Sequence, residues 1–152
     1  MKTKLIAVFL VAVACLFGSA PRVSAQTDKG PIPAVYDIDS LLQQYPLEKG
    51  QAFRTDMIAW DSTSSVHLTQ IDTGVEPNHH ATHDETIWII RGAGRFTLGD
   101  QKLKVKAGEF VRIPRGISQS FHNLGSNPAV VINVFSPGFD GKDRIYEDKT
   151  GK

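Results

Sequence analysis

The chain has 152 residues with 17 Lys and Arg against 16 Asp and Glu, a length that holds one domain with one core and a charge that gives no basic surface for nucleic acid. Its only cysteine is Cys15. Any segment cut off after residue 25 takes that thiol with it, so disulfide and thiol chemistry are excluded from what remains.

Lys2 and Lys4 precede an apolar run over residues 5–17, and small and polar residues follow up to Val23-Ser24-Ala25. This is the build of a secretory signal peptide, and the run falls short of the roughly 20 residues a membrane-spanning helix needs. Cleavage after Ala25 is expected, giving an exported protein, periplasmic or secreted, without a membrane anchor. A lipoprotein signal is the rival because Ala14-Cys15 can end a lipobox, yet Leu16-Phe17-Gly18 follows instead of polar residues. Loss of Lys2, Lys4 and Arg22 without any acid turns the net charge of +1 into −2.

Residues 26–52 read as an N-terminal arm with a short helix. Gly30-Pro31-Ile32-Pro33 cannot continue a helix or a central strand, while residues 41–45 form a helical stretch capped by Asp39 or Ser40 and stopped by Pro46. From residue 53 to 152 short β-rich runs recur between Gly, Pro, Asn and Asp: 57–60, 65–71, 86–90, 95–98, 102–105, 109–113, 119–122 and 129–135. Such spacing predicts an all-β antiparallel sandwich or barrel. The turns at Gly92-Ala93-Gly94 and Gly99-Asp100 predict a three-stranded meander over 86–105. Alternation turns Ile87, Ile89, Phe96, Val111, Ile113 and Phe121 inward, and His67 reads as a sheet residue without a metal role. Trp60 and Trp88 read as packing on a sheet face, and Arg112 and Arg115 as a solvated outer face.

Two stretches carry a family resemblance. Gly74-Val75-Glu76-Pro77-Asn78-His79-His80-Ala81-Thr82-His83-Asp84-Glu85, with six residues between Glu85 and Gly92, resembles the first cupin motif. Gly108, Pro114, Gly116, Gln119 and Asn123 stand at the spacing of the second, with Gln119 where the family has a histidine. The resemblance implies a single-domain cupin, a double-stranded β-helix or jelly-roll barrel with a short N-terminal helix. It also implies a divalent first-row metal (Mn, Fe, Ni or Zn) and a small-molecule substrate, with dioxygenase- or isomerase-like chemistry.

The family's ligand set is altered here. In one register Glu85 goes with His80, and Asn78 takes the place of the first histidine. In the other His79 is the first ligand and Ala81 replaces the second. The expected metal residues are therefore His80, Glu85 and Gln119, with His79 or His122 turned inward by a β-bulge. Glu85 is also the expected catalytic proton acceptor. Asn78, His83, Asn123 and Phe121 are expected around the ligands or lining the pocket. The competing expectation is a non-catalytic barrel that binds a carbohydrate or small acid and has lost its metal along with its histidines. Cupin barrels pair through edge strands, so a homodimer is an expected assembly.

Overall fold

The computed structural model describes residues 34–147; the expected signal peptide, its cleavage point and the start of the arm lie outside the described residues. One helix, α1 (Ile38–Gln44), precedes ten strands: β1 (Phe53–Trp60), β2 (Ser65–Ile71), β3 (Gly74–His79), β4 (Asp84–Arg91), β5 (Ala93–Leu98), β6 (Gln101–Lys106), β7 (Phe110–Ile113), β8 (Gln119–Asn123), β9 (Ala129–Ser136) and β10 (Ile145–Tyr146). The strands form two antiparallel five-stranded sheets, ordered β1-β2-β9-β4-β7 and β10-β3-β8-β5-β6, so the expected all-β jelly roll is what the chain adopts.

Helix α1 is capped by Asp37, two or three residues before the expected caps Asp39 and Ser40. The Asp37 side chain accepts from the Ser40 N–H at 2.8 Å, an N-cap bond that satisfies one of the free amides of the first turn. Leu41 packs with Leu68 and Val130. This is why β2 departs from strict alternation: six of its seven residues are buried, one face against the opposite sheet and the other under the helix.

The remaining apolar side chains meet between the sheets. Ile71, Ile87, Ile89, Phe96, Phe121 and Val131 are among the buried residues of this core, and Val111 packs against it half-buried. Gly94 is required by that packing, since a β-carbon there would run into the Phe121 ring. The expected meander is corrected. β5 does pair with β6, but β4 pairs with β7 and β9 in the other sheet, and Gly92, at φ +84°, carries the chain across between sheets instead of closing a hairpin. Two strands were not expected. β3 contains Gly74 and Pro77 and pairs with β8 through an irregular register, and β10 is two residues long.

On the outer surface Trp60 and Trp88 are about half exposed, and Trp88 stands opposite the exposed Phe110, so neither tryptophan packs away as expected. Arg112 and Arg115 are exposed, and each pairs with Asp84 at 3.0 Å. Exposed pairs of this kind contribute little to stability.

Candidate metal and ligand site

The link from β3 to β4, residues 80–83, is clamped from two sides. Gly116, at φ +77° in the turn after β7, donates its N–H to the His80 carbonyl at 2.6 Å. Opposite it, Asp143 accepts from the backbone N–H of Ala81 (3.1 Å) and Thr82 (2.9 Å) and from the Thr82 hydroxyl (2.8 Å). The link is thereby fixed by backbone bonds rather than left as a free loop.

His80 is buried beside Phe135 and Phe139, whose ring centroids lie 5.0 and 4.9 Å from its own. Neither ring nitrogen makes a well-formed hydrogen bond among the described residues. Burial, then the Arg144 charge, lowers its pKa to about 4, against weaker opposing interactions with Asp143. The ring is therefore neutral at physiological pH, which is the form that coordinates metals.

Glu85, on β4, is buried with one amide donor on each oxygen: Gln119 Nε2 to Oε2 and Asn133 Nδ2 to Oε1, both at 2.6 Å. Burial raises its pKa, and these two hydrogen bonds and Arg144 oppose the rise. Its Oε2 lies 3.8 Å from His80 Nε2. One ion with bonds of about 2.1 Å reaches two donors up to roughly 4.2 Å apart, so this pair fits a shared metal.

His83 Nδ1 is 2.5 Å from Asp143 Oδ2, an arrangement that fixes the imidazole and directs Nε2 away from the carboxylate. The Asp143 carboxyl lies well below the ordinary carboxylate range: burial works against ionisation, and the bonds from His83, Thr82 and Ala81 outweigh it. Donor atoms of His80, His83 and Asp143 come within 4.8 Å of one another, a group that could hold a metal ion. Two imidazoles with carboxylates suit a first-row divalent ion.

The other expected site residues are placed as follows. Gln119 is buried and directs its amide at Glu85. Asn78 is buried on the inner cavity, with Oδ1 unpartnered among the described residues and Nδ2 donating to the Glu76 carbonyl at 2.7 Å. Phe121 lines the same cavity. His79 is half-buried at the end of β3, opposite Ile145 of β10, and does not line the cavity. His122 is exposed and borders a surface hollow with Arg95 and Glu76. The bulge between β3 and β8 falls at residues 75–78 and leaves His122 facing outward. Asn123 is buried too, but it closes turns: Nδ2 donates to the carbonyls of Asp72 (2.8 Å) and Asn127 (2.9 Å), and Oδ1 accepts from Gly125 N–H (3.0 Å).

Sequence reasoning missed Asn133, Asp143 and Arg144. Asn133 carried a readable signal, an amide at an inward position between Val131 and Phe135 of an apolar strand. Asp143 and Arg144 carried none, because they lie beyond both motifs in a segment with no strand periodicity.

A cavity of about 40 Å³ lies between the sheets, bordered by Glu85, Gln119, Asn78, Asn133 and Arg144. Room of this size takes about three waters. A second hollow of about 260 Å³ is bordered by His67, Phe139, Asp140 and Arg144, and Thr55 and Arg144 border both spaces. His67 is buried there, 2.9 Å from Ser65 Oγ, with its pKa lowered to about 4 by burial and then by Arg144.

The Cupin_2 family model, a cupin domain, matches residues 67–135. An uncharacterized protein of Aquifex aeolicus is 31% identical over 113 residues, 73% of this chain and 90% of that protein. A Klebsiella pneumoniae protein with a double-stranded β-helix domain superposes with a TM-score of 0.64 at 17% identity, covering 77% of this chain and all of that one. Streptomyces PAC13, solved with uridine, gives 0.57 at 13% identity over 64% of this chain and 79% of its own. With both motifs in place on two facing antiparallel sheets, this chain belongs to the cupin superfamily.

Proposed function

We propose that this protein is an exported metal-dependent cupin that acts on a small organic molecule in its barrel, with the ion between His80 and Glu85 and with His83, which groups with His80 and Asp143 rather than with Glu85, oriented beside them by Asp143. The observation that carries the proposal is His80. An imidazole buried among phenylalanines without a well-formed hydrogen bond is costly, and a carboxylate, itself buried, lies 3.8 Å away. A shared cation would satisfy both. When bound, such an ion supplies a Lewis acid that polarises a substrate oxygen, which fits isomerase- or dioxygenase-like reactions. The chain's own contribution is to keep the His80 imidazole neutral, to fix the carboxylate with two amide donors, and to limit water to a narrow space between the sheets. The uridine with which PAC13 was solved supports a small molecule as the ligand class. The N-terminal pattern ending at Ala25 supports export, and N-terminal sequencing of the protein recovered from outside the cytoplasm tests it by finding or not finding Gln26 first.

The test is a titration of chelator-treated protein with Mn, Fe, Ni and Zn, followed by elemental analysis and by oxygen-uptake and isomerisation assays with the retained metal. About one ion per chain, weakened by His80→Ala and by Glu85→Gln, supports the proposal. No retained ion with any of the four sinks it. A second reading, a binding barrel without metal, is favoured by one observation: both Glu85 oxygens already accept amide N–H groups, so the carboxylate is satisfied within the protein alone.

A further inference from the structure

The segment that follows β9 contributes three side chains to the barrel. Phe139 packs on His80, His83 and His67, with ring centroids 4.9, 5.4 and 5.7 Å away; Asp143 holds His83; and Arg144 borders both the inner cavity and the outer hollow. Among the described residues Arg144 is the only Lys or Arg side chain that borders either space. Its guanidinium carbon stands 5.8 Å from the centroid of the Phe53 ring and 6.0 Å from that of Phe139, so two aromatic rings border it. Among the described residues its buried Nε has no hydrogen-bond partner, and no carboxylate lies within 4.0 Å of the guanidinium. Glu85, the acid deepest in the barrel, gives both its oxygens to amides instead.

Arg144 is half-buried, with its Nε shut off from solvent and from any partner among the described residues, and its planar fork matches a carboxylate in two parallel hydrogen bonds. The spaces it joins offer further polar groups: Thr55 with its hydroxyl 3.0 Å from that of Thr69, Asn133, and the unpartnered Asn78 Oδ1, an acceptor for a ligand hydroxyl or amide. The inner cavity alone is too small for an organic ligand, so a molecule reaching Glu85 must also occupy the space beside Arg144. Among the described residues no lysine or second arginine borders these spaces, and Asp140 at the outer hollow is already paired with Lys142 at 2.8 Å, so the single charge of Arg144 suits a monoanion rather than a phosphate dianion.

We infer that the barrel selects a small organic carboxylate, with Arg144 as the residue that binds its carboxylate group and the remainder of the ligand pointing toward Glu85 and Asn78. The inference names the substrate class of the site proposed above and rests on that site's being the place of binding; the ion itself is not needed for the Arg144 contact.

The test is calorimetric binding of pyruvate, lactate and benzoate, each beside its amide, to full-length protein both metal-free and metal-loaded. Wild type binds at least one acid about 10- to 100-fold more tightly than its amide, the range a charge-assisted pair gives in a dehydrated site. Arg144→Gln removes that preference. Arg144→Lys, which keeps the charge but loses the fork, restores part of it, and both variants retain the wild-type circular dichroism and metal content. Equal binding of acid and amide, an unchanged preference in Arg144→Gln, or no acid bound by either form of the protein overturns the inference. If no metal binds but an acid still does so through Arg144, the metal proposal fails alone; if metal binds and the acids show no preference, this inference fails alone.

Discussion

Two segments build the site by different means. Residues 78–85 lie in a cupin motif and supply His80 and His83 from the link between β3 and β4 and Glu85 from the start of β4. Residues 139–144 follow no motif and supply a phenyl ring, a carboxylate and a guanidinium to the same place. The first segment carries the donors that suit any divalent first-row ion. The second sets how those donors are oriented and what stands in front of them. A barrel that keeps its motif can thus change ligand through a short downstream segment without altering either sheet.

The comparison breaks first at Phe139. The ring is buried against Phe135 at 4.6 Å and against three histidines, so Phe139→Ala is expected to cost about 3–5 kcal/mol of unfolding free energy, measured by denaturant melts of metal-free protein. A loss below about 1 kcal/mol would show that the segment is only draped on the barrel. Asp143→Asn comes next. It leaves a side chain of the same shape but a weaker partner for His83, and metal affinity should fall about 10- to 100-fold, as when the orienting partner of a ligating histidine is removed. Competition with a chelator reads this directly, and unchanged affinity would separate the segment from the metal.

A pH series sharpens the same contrast. His67 and His80 have folded pKa values near 4 against an ordinary 6.5, so between those values the unfolded chain takes up protons that the folded chain does not. Stability of metal-free protein therefore falls as the pH drops from about 6.5 to 4, by up to about 1.4 kcal/mol per pH unit for each histidine. Glu85 works in the opposite sense, since its raised pKa lets the folded state hold a proton above pH 4.5, and Glu85→Gln should make the acid loss steeper. Thermal melts at steps of half a pH unit test the sign. The smallest effect is at the helix, where Asp37→Ala removes the N-cap and should cost about 1 kcal/mol without changing metal affinity.

Much of this architecture was legible in the sequence because β-strands announce themselves by alternation and turn residues. Ser65–Ile71 was recovered to the residue, and Ile87, Ile89, Phe96, Ile113 and Phe121 face the core as their period requires. What escaped has physical reasons. β3 carries Gly74 and Pro77, which weaken strand patterning, and the partners of β4 depend on which sheet the chain enters after Gly92, a choice made by tertiary packing. Within the site, spacing picked out His80 and Glu85, which lie five residues apart along the chain. Asn133 and Asp143 reach Glu85 and His83 across 48 and 60 residues, and local sequence does not encode such distances. His122 was within reach of the motif by count, but one position of strand alternation leaves it on the outer surface.

The central claim is that the buried His80 and Glu85 exist to share a cation. Elemental analysis of protein purified without a His tag, reconstituted with Mn, Fe, Ni or Zn and compared with His80→Ala and Glu85→Ala, tests it most directly. The account predicts about one ion per chain in wild type and, in each variant, affinity lower by about 100-fold or more. A wild-type protein that retains no ion after all four reconstitutions, or one whose ion survives both substitutions, would contradict it.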